Sequence, residues 1–160
     1  MDKILGDEPS FYDAKWKFDA NSHSPQHSTY MEIKNFIPPD YEIIAVTRDP
    51  YDRYLSEYCW RIHHNFINKT MSQDEFAKVF FESNQHWDNH EKSQEYFLHG
   101  GMDKIKLIKL VDLDKFLKTR FGIEAPIKNN VNKNSDIKIS KYSKKMVEKF
   151  WAADFKISKM

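Results

Sequence analysis

Residues 41–50 constrain this chain more than any other stretch. An apolar run at 43–46 is followed, after Thr47, by Arg48, Asp49 and Pro50. The run does not alternate, the pattern of a strand buried on both faces in the middle of a parallel sheet. Asp49 is a good helix N-cap and Pro50 a good first helical residue. Tyr51, Tyr54, Leu55, Tyr58 and Ile62 then recur at helical spacing, which predicts a helix to about Ile62. The unit is a strand, a tight turn and a helix.

The rest of the chain repeats that order once. Residues 104–111 read as a second strand. Asp112 is the expected cap of a helix that carries Leu113, Phe116 and Leu117 and ends near Gly122. Thr29 with Glu32 and Ser72 with Glu75 have capping-box spacing. The first opens a short helix over 30–36, closed by Pro38 and Pro39; the second leads into Phe76, Val79 and Phe80. A short helix is predicted over 91–98 and a last one over 143–155, with Met146, Val147, Phe150 and Trp151 on its apolar face. Residues 1–23 show no lasting period and read as an irregular segment. Strand followed by helix, twice, predicts one α/β domain over 1–160, a small parallel sheet flanked by helices. Two strands are few for a doubly covered sheet. Either more strands lie within residues 1–20, or the domain is a truncated form of a larger one.

Charge and composition narrow the function. Lys plus Arg is 25 and Asp plus Glu is 24, so bulk charge does not drive nucleic-acid binding. Nor is there a basic, aromatic-lined face to suggest it. Lysines gather between Lys128 and Lys149, as on a solvated surface or an anion-binding rim. The single cysteine, Cys59, excludes an intrachain disulfide and fits a reducing, cytoplasmic compartment. No stretch approaches the roughly 18 apolar residues of a membrane span. His63 and His64 adjoin, and His86 and His90 are spaced i,i+4, but neither pair has the further ligands of a zinc site, so no metal is expected.

Arg48 is the leading candidate for chemistry. It stands at the C-terminal end of a buried strand, just before helix amides, where open α/β sheets bind ligands and helix starts attract anions. Its guanidinium is a rigid fork for phosphate. Ser56 lies two turns into the helix, on the side of Asp52 and Arg53, and can add one hydrogen bond. The competing readings are an Arg48 ion pair with Asp49, Asp52 or Glu57, a plain helix serine at Ser56, and a surface ion pair at Arg53.

Arg48, Pro50, Arg53, Ser56 and Tyr58 together resemble the 3'-phosphate motif of the sulfotransferases that use 3'-phosphoadenylyl sulfate (PAPS). In the carbohydrate-type branch it reads R-x-P-x-x-R-x-x-S-x-Y. Further similarities follow in family order. They are His27 with Thr29, the His86–Trp87 loop with Gln94, Tyr96 and Phe97, the strand and helix start around Asp112 and Leu113, Pro126 with Asn129, Asn130 and Asn132, and Tyr142 with Trp151, Asp154 and Phe155. The resemblance spans about residues 24–156 and implies a truncated P-loop-NTPase-like sulfotransferase fold. It implies PAPS as donor, its bisphosphate product PAP, no metal, and a hydroxyl acceptor, most naturally carbohydrate. By it, Arg48 and Ser56 bind the 3'-phosphate. Arg53 supports the helix and touches the nucleotide, and Asn130 returns toward it. His27 is the candidate general base. His86, Lys128 and Lys133 stand on the acceptor side.

One family element is missing. No hydrophobic strand leads into a loop like H-I-P-K-T-x-G-T-S, whose amides and lysine hold the phosphosulfate. Gly6 is isolated, and Lys3, Lys15 and Lys17 lack that setting. Three expectations follow: a truncated or mis-started chain, a loop supplied by a partner chain or second copy, or a PAP-binding remnant without turnover.

Overall fold

In the computed structural model, which describes residues 28–83, 89–124 and 137–160, the strand–turn–helix at 41–62 is formed. Strand β1 (Ile43–Thr47) will pair with β2 below, and α2 (Pro50–His63) starts where Asp49 and Pro50 predicted. Before them lies α1 (Tyr30–Ile33), opened by the Thr29–Glu32 capping box and shorter than the expected 30–36. The second capping box, Ser72 with Glu75, opens α3 (Gln73–Glu82). Ser93 caps α4 (Gln94–Leu98), which starts three residues later than expected. Strand β2 (Ile105–Lys109) follows, then a 3-10 turn (Leu110–Asp112), α5 (Leu113–Phe121), α6 (Lys141–Phe150) and α7 (Asp154–Ile157).

β1 and β2 pair in parallel, from Ile43 opposite Ile105 to Thr47 opposite Lys109. The domain is α/β. The strand expected to be buried on both faces is only half-buried, and Val46 is 45% exposed. The cause is the sheet itself, which has two strands among the described residues, so β1 has one neighbour.

Two helix ends depart from the sequence reading. Asp112 makes no side-chain capping bond, because the 3-10 turn already winds the chain into α5. Gly122 does close that helix, at φ 68°, a left-handed conformation that suits glycine. The single helix expected over 143–155 is two, broken at Trp151–Ala153. The break lets both Trp151 and Asp154 turn inward, where they are 1% and 0% exposed.

Two apolar clusters result. The larger joins α2, α3 and α6 through Tyr54, Tyr58, Phe76, Phe80, Val147 and Trp151. Tyr54 Oη and Tyr58 Oη donate to the Gln73 and Met71 carbonyls, so both rings are buried with their hydroxyls satisfied. The smaller cluster, Leu98, Ile105 and Ile157, ties α4, β2 and α7. Among the described residues no helix is long and apolar enough to cross a membrane.

Candidate anion-binding cleft

Because β1 and β2 run parallel, their C-terminal ends lie along one edge of the sheet. A cleft of about 440 Å3 opens there, lined by Thr47, Arg48, Arg53, Gln94, Phe97 and Leu110 among others. The volume falls within the roughly 300–1,000 Å3 of small-molecule sites. Its described lining carries two arginines and no carboxylate, although the charge of one, Arg53, is met from behind by Asp154. Ser28, the residue after His27 in sequence, also lines it.

Arg48 is the first residue past the β1–β2 ladder. Its backbone N–H donates to Gln94 Oε1 at 2.8 Å, and Gln94 Nε2 donates back to the Arg48 carbonyl at 2.8 Å. Two of the carboxylates that could have paired with its side chain are engaged elsewhere. Asp49 accepts from the Tyr51 and Asp52 amides. Glu57 accepts from Arg61 Nε at 2.5 Å and contacts His90 Nδ1 at 2.8 Å.

Arg53 enters the cleft from α2 and is held from behind. Its Nη2 donates to the His90 and Lys92 carbonyls at 3.1 and 2.6 Å. The guanidinium lies 4.2 Å from the centre of the Trp151 ring, a cation–π contact. Nη1 is 3.6 Å from Asp154 Oδ2. Burial pushes the Arg53 pKa below its ordinary value, and the Asp154 and Glu57 carboxylates oppose that shift. Asp154 also accepts from the Gln94 and Glu95 amides at 2.8 and 2.9 Å, capping α4 from α7.

The structure thus brings Arg48 and Arg53 together at one cleft. Ser56 is half-buried on α2 and does not line it. Tyr58 supports the helix core. The α2 amides expected to be free are not: Pro50 has none, and Asp49 Oδ1 occupies those of Tyr51 and Asp52. The cationic groups at the cleft are therefore side chains rather than the helix start. His27, His86, Lys128, Asn130, Asn132 and Lys133 lie outside the described residues. Among the described residues no group of three or more His, Cys, Asp or Glu is placed to hold a metal ion. Gln94, Asp154 and the backing role of Trp151 were not identified as functional from sequence. The only sequence signal for them was the similarity of the 94–97 and 151–155 segments to a family pattern.

The Glu57–His90–Arg61 cluster braces the segment that holds Arg53. Burial raises the Glu57 pKa, but hydrogen bonds and charge from His90 and Arg61 outweigh it, and the net shift is downward. A carboxylate depressed in the folded state stabilises the fold above its ordinary value and loses that contribution as pH falls through the lowered one. Thermal unfolding from pH 6 to pH 3 is therefore expected to show a steeper loss of Tm below about 4.5 in the unmodified protein than in Glu57→Gln. Parallel curves would contradict the assignment.

Comparison with protein-family models, with curated proteins and with solved structures finds no match to the chain.

Proposed function

We propose that this chain is a sulfotransferase-like domain that binds PAP or PAPS, with Arg48 as the ligand of the nucleotide's 3'-phosphate. One observation carries the reading: Arg48 stands at the C-terminal end of β1, its backbone fixed, beside a cleft that also holds Arg53. The resemblance of residues 48–58 to a 3'-phosphate motif supplies the ligand's identity. In this reading the fold is a truncated P-loop-NTPase-like one and the full reaction transfers a sulfuryl group to a hydroxyl, most naturally of a carbohydrate. The acceptor oxygen bonds to sulfur as the bridging oxygen–sulfur bond breaks. The acceptor proton passes to a base, for which His27 is the candidate, and PAP departs.

A second reading, binding without turnover, draws on the sequence. No hydrophobic strand leads into a loop like H-I-P-K-T-x-G-T-S. Such a loop would supply the preorganised donors that meet the oxygens gaining charge during sulfuryl transfer.

Calorimetric titration with PAP tests what the two readings share. Binding to the unmodified protein is expected, and Arg48→Ala is expected to weaken it about 10- to 100-fold, the cost of a charge-assisted hydrogen bond pair. No binding to the unmodified protein sinks both readings. Transfer of label from PAPS to a carbohydrate separates the enzyme from the binding module.

A further inference from the structure

The β1–β2 ladder ends at Thr47 opposite Lys109, and β2 then turns into the 3-10 segment. Arg48 is left past the last paired residue, with a backbone donor and acceptor to satisfy. Gln94 meets both with one side chain, at 2.8 Å each. Its planar carboxamide supplies the donor and the acceptor that a peptide of a paired strand would supply. Of glutamine, glutamate and methionine, which are alike in length, only glutamine offers both a donor and an acceptor near neutral pH. Glutamate would face the Arg48 carbonyl with a second acceptor, and methionine of similar length would offer neither strong group.

The clamp is itself anchored. The Gln94 backbone amide, with that of Glu95, donates to Asp154, a carboxylate that is fully buried and faces Arg53. The α4 start therefore cannot drift without breaking bonds to α7. The Arg48 backbone is held through this chain of contacts, and with it the direction in which the side chain leaves β1. An anion site gains affinity when its ligand is preorganised rather than ordered on binding.

We propose that Gln94 is a positioning residue of the anion site, acting through Arg48 and not by touching the anion. The proposal rests on the reading of Arg48 as the phosphate ligand. The test is a double-mutant cycle on the full chain, with PAP affinity measured by calorimetry. Gln94→Met is expected to weaken PAP about tenfold when Arg48 is present and to have no further effect in an Arg48→Ala background. A purely structural role would cost the same affinity in both backgrounds, and that result, or no loss in either, overturns the proposal. Gln94→Leu, which loses donor and acceptor without adding charge, serves as second variant if Gln94→Met does not fold.

If the unmodified protein binds no PAP, the nucleotide reading fails and positioning is decided separately. The Arg48 side-chain Nε–H resonance is then followed by NMR during titration with inorganic pyrophosphate. A shift in the unmodified protein that is lost in Gln94→Met supports positioning. The same response in both, or none in either, overturns it.

Discussion

Replacing Trp151 with alanine is expected to cost about 3–5 kcal/mol of folding stability, the range for deleting a large buried aromatic. Trp151 is 1% exposed and meets Phe80 and Phe81 edge-on, with centroids 6.1 and 5.2 Å apart. Its Nε1 donates to the Glu91 carbonyl at 2.8 Å, and its face carries the Arg53 guanidinium. Truncation opens a cavity between α2, α3 and α6, strands one carbonyl and removes the surface beneath Arg53. Urea unfolding should show the midpoint fall with little change in slope. Trp151→Phe keeps most of the apolar volume and loses the hydrogen bond, so it is expected to cost about 1–2 kcal/mol. A loss below about 1 kcal/mol for the alanine variant would mean that this ring is not packed as described.

Asp154→Ala is the second large effect, of about 3–5 kcal/mol. The carboxylate is fully buried and serves three groups: the Gln94 amide, the Glu95 amide and Arg53. Removing it leaves the partly buried Arg53 cation with only the Glu57 charge nearby, and two helix-start amides without an acceptor. The partner substitution Arg53→Ala strands the carboxylate instead, although the two amides still hold it, so its cost should be smaller. The double variant should lose less than the sum of the singles, because each single substitution leaves an unpaired charge that the other removes. Strict additivity would contradict a direct Arg53–Asp154 pairing.

Local signals in the chain translated well into local structure. Asp49 with Pro50, Thr29 with Glu32 and Ser72 with Glu75 each start a helix where their side chains reach amides three residues or fewer away. Such bonds depend on neighbours in sequence, so spacing suffices to read them. Gly122 is of the same kind. The break after Phe150 was not legible, because its cause is distant: Asp154 turns inward to reach Gln94, and Trp151 to reach Glu91. Gln94 was invisible as a clamp for the same reason, since its partner Arg48 belongs to another strand–helix unit. The position of Arg48 between strand and helix, at the cleft edge, was legible from sequence. Ser56 was legible as a helix residue, but whether its face borders the cleft depends on packing that helical spacing does not encode. Asp112 failed as a cap because the 3-10 turn before α5 already places it inside a helical run.

The register of the sheet also orders events in time. Ile43 faces Ile105, so every β1–β2 bond requires closing a loop of about 60 residues, an entropic cost met before any pairing energy is gained. By contrast, α2 and α3 adjoin in sequence and share Tyr54, Tyr58 and Phe76 in one cluster. Contacts so local form early in folding, and long-range parallel pairing forms late. Arg48 sits at the tip of that late pairing, and Gln94 and Asp154 reach it from further along the chain. The cleft is therefore expected to assemble after the α2–α3 contacts as the chain folds.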